Sequence, residues 1–339
     1  MTTRRSILLT TFIVVGCATL VLSAQGSRPS SAPGSYTAPR NAFGQPDFEG
    51  VWTNNSLTPL QRPEAWADKA TLTDEELKQV QAATRQLEEK GDALFGDELI
   101  SDVLAGKKES ESHDTETGNY NSFWLPNRHI DNRTSLIIDP PNGRIPALTP
   151  EARARQAARA EYARLHPSDG PESRGLTERC ITFGVPSFIA AYSSVYQVVQ
   201  SPGSVVFMME TIHDARVISL DGSPHVSAAI QQWKGDSRGH WEGDTLVVDS
   251  KGFSSKANAF GSSSGLHLVE RFTRVAEDTL QYDATLSDPT AWARPWTARI
   301  LFKRINEPLL EYACHEGNTG MFGILAGARK LEAEQASKR

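Results

Sequence analysis

The sequence predicts a mainly β protein: an antiparallel meander that closes into a barrel or a strongly curved sheet, with peripheral α-helices. Three observations carry this expectation. From about residue 181 onward, short runs of strand-forming residues alternate with local turn signals such as Ser201-Pro202-Gly203, Asp221-Gly222, Asp288-Pro289 and Asn306-Glu307-Pro308. Neighbours joined by such short links pair antiparallel, because parallel pairing needs long crossovers. In the longest run, period-two alternation puts Leu266, Leu268, Glu270 and Phe272 on one face and His267, Val269, Arg271 and Thr273 on the other. Both faces mix apolar and charged groups, which suits a closed sheet with an interior able to supply partners for buried charge.

The chain has 339 residues, a formal charge of −6 and 22% charged residues. That balance becomes −8 if Arg4 and Arg5 leave with an N-terminal leader, and it argues against nucleic acid or an anionic membrane surface as partner. The leader spans residues 1–24: a basic Arg4-Arg5, an apolar run over 7–22 and Leu22-Ser23-Ala24 as cleavage site. The expectation is a periplasmic or secreted protein with no stable membrane insertion once the leader is removed. Unfolded and twin-arginine export both stay open, and the apolar run continuing past Cys17 speaks against lipidation. Residues 25–45 are rich in Ser, Pro and Gly and read as a disordered linker, so a single β-rich domain is expected over 46–339.

Along that domain, Gln45-Pro46 leads into a first short strand at Gly50-Val51-Trp52. Thr73-Asp74-Glu75-Glu76 is a capping box ahead of a helix whose narrow apolar face is Leu77, Val80 and Leu87. Residues 96–118 are charged, poor in bulky apolar groups, and read as a surface loop or an insertion. Strands follow at 120–125 and 135–139, and Pro140-Pro141-Asn142-Gly143 reverses the chain. Thr149-Pro150 opens a second helix running to about residue 165, rich in Ala and Arg and so placed on the outside.

The meander then comprises strands at 196–200, 205–212, 216–220, 266–275, 279–286, 298–305 and 309–314, with one hairpin within residues 236–253. Its arms are 237–241 and 244–250, and Glu242-Gly243 is its turn, with Gly243 supplying a positive φ. Met321, Ile324, Leu325, Ala328 and Leu331 mark a C-terminal helix that Gly323 and Gly327 would let approach the sheet.

Chemistry is sought where polar groups crowd these strands. The catalytic candidates are His240, His267 and His315 for proton transfer, with Glu210 and Glu270 as carboxylate partners. Glu210 would share a strand face with Val206, Met208 and Ile212. Arg238 and Arg271 would hold an anionic group, Trp241 would form an aromatic wall, and Asn318 would bind substrate or cap the last helix. Cys180 and Cys314, the two cysteines left after the leader, either form a disulfide or leave a thiolate beside His315. No HExxH, HxH or CxxC spacing is present, so a metal-free pocket is expected and no cofactor is implied, although His213 and His225 could join the other three histidines around an ion. Nucleophile elbow, phosphate loop and dinucleotide fingerprint are all missing from the sequence.

Two resemblances bear on this reading. Tyr120-Asn121-Ser122-Phe123-Trp124, residues 139–146, the run DSRGHWEGDTL at 236–246 and Cys314-His315-Glu316-Gly317-Asn318 together resemble a large family of exported bacterial proteins of unknown function. The resemblance spans nearly all of the mature chain and implies export but no particular activity. Separately, Gly50-x-Trp52 is similar to the Gly-x-Trp of lipocalin-like barrels, whose ring plugs one barrel end. The functional expectation is an exported hydrolase or lyase using His and carboxylate acid–base chemistry on a small organic molecule. A non-catalytic β-barrel carrier for a small molecule or haem is the alternative.

Overall fold

A computed structural model describes residues 36–90, 96–108, 128–188, 194–257 and 259–338. The leader, Cys17, most of the linker and the expected strand at 120–125 lie outside these residues.

Alternation does make the strands, and closure makes the fold. Ten strands form one sheet: β1 (Gly50–Thr53), β2 (Ile137–Asp139), β3 (Val195–Ser201), β4 (Ser204–Met209), β5 (Asp214–Ser219), β6 (Asp236–Glu242), β7 (Thr245–Lys251), β8 (His267–Ala276), β9 (Thr279–Ser287) and β10 (Trp296–Ile305). The order is β1-β3-β4-β5-β6-β7-β8-β9-β10, and β1 also pairs with β10, so nine strands close a barrel. The short β2 adds to β10 beside that seam.

Pairing is antiparallel except between β5 and β6, which meet in parallel at Ser219 and Arg238. The pure meander is therefore corrected at one place: residues 220–235 form a crossover instead of a tight turn. The strand expected at 309–314 is not one, and those residues form an irregular segment. β4 stops at Met209, because Glu210 opens a turn in which Ile212 and His213 take φ of 67° and 54°. The β6–β7 hairpin turns on Gly243-Asp244, since Glu242 pairs with Thr245, and Gly243 has φ of 60°.

Trp52 explains the seam. It is fully buried on β1, donates its indole N–H to the Phe48 carbonyl at 2.9 Å, and has the Arg274 and Arg304 guanidinium groups 5.8 and 5.7 Å from its ring centroid. Gly50 takes φ of 133°, and a Cβ there would stand 3.0 Å from the Arg304 guanidinium. The Gly-x-Trp spacing thus serves the conformation that closes the barrel. Folded chain is already present over 36–45: Ala38 is buried, Asp47 donates to the Pro39 carbonyl at 2.7 Å, and Arg40 pairs with Asp244.

Four helices are found among the described residues, all peripheral. Helix α1 (Asp74–Lys90) begins with the expected capping box: Thr73 N–H reaches Glu76 Oε2 at 2.9 Å, and Glu76 N–H reaches Thr73 Oγ1 at 3.3 Å. Helix α2 (Gly96–Leu104) replaces part of the expected surface loop. Its buried Leu99 and Ile100 join Leu57, Trp66, Leu72 and Leu87 in a satellite core. Helix α3 (Pro150–Leu165), capped by Thr149, buries only Ala152. Helix α4 (Thr319–Ser337) has no buried residue, and nothing lies within 4 Å of a Cβ built at Gly323 or Gly327, so the expected close approach to the sheet is absent. No helix among the described residues is long and apolar enough to cross a membrane.

Candidate functional site

Barrel closure divides the polar residues of the strands into an inner and an outer set. On β8 the inner set is Leu268, Glu270, Phe272 and Arg274, while His267 and Arg271 face out. On β6 the inner set is Ser237, Gly239 and Trp241, while Asp236, Arg238, His240 and Glu242 face out.

Glu270 therefore lies in the barrel interior, 1% exposed, and Arg216 of β5 answers it. The guanidinium donates to both Glu270 oxygens, Nη1 at 2.9 Å, and also to Ser237 Oγ at 3.0 Å and Ser250 Oγ at 2.8 Å. Tyr282 O–H donates to Glu270 Oε1 at 2.6 Å. Burial works against the Arg216 charge, but Glu270 more than offsets it and holds the guanidinium protonated. Burial, then the neighbouring Glu270 charge, push the Tyr282 phenol well above its ordinary range. A carboxylate this fully engaged is a framework ion, and a phenol this weakly acidic is a hydrogen-bond donor.

Around this cluster runs a chain of rings from five strands. Tyr196, Phe302, Tyr282, Phe272 and Phe207 follow one another at centroid separations of 5.3, 5.6, 4.5 and 4.7 Å. They line an inner chamber of about 50 Å³. Its other ionisable groups, Asp214 and Lys234, pair with each other.

Above it lies the barrel mouth. Leu266 immediately precedes β8, whereas Arg274 beside Trp52 is near its far end, so mouth and Trp52 mark opposite ends. The mouth holds a cleft of about 440 Å³ with walls that include Phe183, Phe188, Trp233, Phe253, Phe260 and Leu266. Gly184, Val185 and Ser187 line both spaces and form the partition between them. Hydrogen bonds hold this partition: Tyr196 O–H donates to Ser187 Oγ at 2.7 Å, Asn54 Nδ2 to the Ser187 carbonyl at 3.1 Å, and Thr182 Oγ1 to Asp214. The loop after β7 supplies Phe253, Lys256 and Phe260 to the cleft.

The structure does not bring the proposed acid–base residues together. His240 is exposed on the outer face beside Glu242, and Arg271 pairs with the same Glu242 at 2.8 Å. His315 is exposed in the irregular segment before α4. Glu210 does not share a strand face with Val206 and Met208; it sits after β4 and accepts from Leu310 N–H at 2.8 Å, fixing the C-terminal segment. Asn318 caps α4, accepting from Met321 N–H at 3.3 Å and donating to the Glu178 carbonyl at 2.9 Å. Trp241 packs edge-on to Phe48 at 5.2 Å against the core and lines neither the cleft nor the inner chamber. Cys180 and Cys314 form a disulfide with Cα atoms 5.8 Å apart.

His267 and Arg238 do join a cluster, on the barrel's outside. Asp249 of β7 accepts from His267 Nε2 at 2.6 Å and meets His225 Nε2 at 2.8 Å. Nδ1 of His225 lies 2.9 Å from Asp236, which Arg238 also holds through two bonds of 3.0 Å. Burial pulls the Asp249 carboxyl upward, but bonds from His267, His225 and Lys251 outweigh it and leave it below the usual range. Asp236 and Asp249 of the DSRGHWEGDTLVVDSK stretch thereby hold His225, which pins the 220–235 crossover to the barrel. Among the described residues, no group of three or more His, Cys, Asp or Glu is placed to hold a metal ion.

The groups that sequence reasoning missed are Arg216, Tyr282, Trp233 and the partition at 182–188. Arg216 alternates with the apolar Ile218 on β5, and that shared face was the available signal. The partition has no periodicity to betray it. No family model, curated protein or solved structure matches this chain.

Proposed function

We propose that this protein is an exported carrier that binds a small, mainly apolar organic molecule at the barrel mouth. The observation behind the reading is the aromatic cleft of about 440 Å³ above a ring-lined inner chamber, a size and lining typical of small-molecule sites. Acid–base turnover of the hydrolase or lyase kind would need a histidine near a carboxylate in that space, and neither type is among the described residues lining the cleft. The same lining offers no imidazole as an axial ligand for haem. Export is supported by the leader-like residues 1–24 and by a disulfide that an oxidising compartment would preserve.

Titration with N-phenyl-1-naphthylamine, a neutral fluorophore that brightens in apolar sites, tests this reading. Saturable one-to-one binding is expected, weakened severalfold in Trp233→Ala and Phe260→Ala variants that retain the wild-type melting profile. Failure to saturate, or equal binding by all three proteins, would remove the mouth from consideration.

A further inference from the structure

We infer that the ligand is an amphipathic anion, an aromatic or aliphatic body carrying one carboxylate or sulfonate, lying with its apolar end toward the inner chamber and its charge at Lys256. This rests on the mouth being the binding site and adds its chemical class. Lys256 is the one ionisable residue among the described lining of the cleft, which includes no Asp or Glu. The Lys256 side chain is exposed and makes no ion pair among the described residues, while the cations of the barrel beneath are spoken for: Arg216 by Glu270 and Lys234 by Asp214.

The lysine's backbone is fixed although its side chain is free to reach. Lys256 N–H donates to Ser254 Oγ at 3.2 Å, Ser254 N–H to the Gln232 carbonyl at 2.8 Å, and Arg159 of α3 to the Ser255 carbonyl at 2.9 Å. An ammonium group thus stands at a cleft whose other described lining is uncharged and rich in aromatic side chains. Below it, the inner chamber's two acids and two bases neutralise one another, so a second charge has no partner at depth. The orientation follows: apolar body down, anion at the rim.

A matched pair of probes separates charge from body. 8-Anilinonaphthalene-1-sulfonate and N-phenyl-1-naphthylamine share the anilinonaphthalene body and differ in the sulfonate. Replacing Lys256 by Met should weaken sulfonate-probe binding about two- to fivefold at low salt, the range for a solvent-exposed ion pair. Binding of the neutral probe should stay unchanged. Lys256→Arg should keep the sulfonate preference, Lys256→Glu should weaken it further, and raising the salt should erase the wild-type advantage over Lys256→Met. Equal effects of Lys256→Met on both probes, or no effect on the sulfonate probe, would overturn the charge assignment while leaving the mouth site standing. Binding of neither probe would overturn the mouth reading, and this inference with it.

Discussion

Glu270 shows how one residue's meaning depends on its partner. It was legible as a carboxylate among apolar neighbours, because alternation on β8 places it with Leu268 and Phe272. Its partner was not, since Arg216 lies 54 residues away and only barrel closure brings β5 opposite β8. A buried ion pair is costly to break from one side, as the remaining charge stays desolvated. Glu270→Gln is therefore expected to lose about 3 to 5 kcal/mol in denaturant unfolding. The double variant Arg216→Met/Glu270→Leu should lose much less, and Tyr282→Phe about 1 to 2 kcal/mol. The outer cluster makes a separate prediction about pH. Burial raises the Asp236 and Asp249 carboxyls, but hydrogen bonds, chiefly from Arg238 to Asp236 and from His267 to Asp249, leave both below the ordinary 3.8. A depressed carboxylate stabilises the fold above its unfolded value and loses that contribution as pH falls through the folded one. Thermal melts should thus show stability falling as pH drops below about 4. Asp249→Asn should be up to about 1 kcal/mol less stable at pH 7 and should fall less steeply with acid.

At the scale of elements, those with a local signal were legible, and those defined by what they touch were not. The capping box of α1, the Thr-Pro start of α3 and most of the meander strands need only neighbouring residues. Helix α2 was hidden because Asp97, Glu98 and Asp102 interrupt a short apolar set, whose Leu99 and Ile100 are buried in the satellite core with Val103 and Leu104 packed against it. Burial raises the Asp97 carboxyl above its usual range despite the Leu60 N–H bond at 3.0 Å, which marks how closely α2 is seated. Helix α4 erred in the other direction: its apolar residues suggested docking, yet Phe322 is 78% exposed and no residue of the helix is buried. A chain ending at Asn318 should therefore retain the wild-type unfolding free energy to within about 1 kcal/mol, measured by urea denaturation. A loss of several kcal/mol would show that α4 stabilises the barrel.

For the whole molecule, closure is the decisive event, and Trp52 stands at the seam where the first strand joins the last. Trp52→Ala should cost about 3 to 5 kcal/mol, with the loss of cation–π contacts from Arg274 and Arg304 adding to the cavity. Circular dichroism melts would register it as a large drop in midpoint. The sequence by itself determined the class of fold, the antiparallel strands, three of the four helices and the eligibility of Cys180 and Cys314 to pair. Each of these depends on periodicity, capping chemistry or a count of residues. Only the tertiary structure decided which face of each strand turns inward, and so which charges meet. Period two fixes that neighbours on a strand oppose one another, but the direction of curvature assigns inside and outside. By that assignment His240, His267 and Arg238 went to the surface, Glu270 went to Arg216, and the barrel mouth passed to an aperiodic stretch at 182–188, the loop after β7 and Trp233.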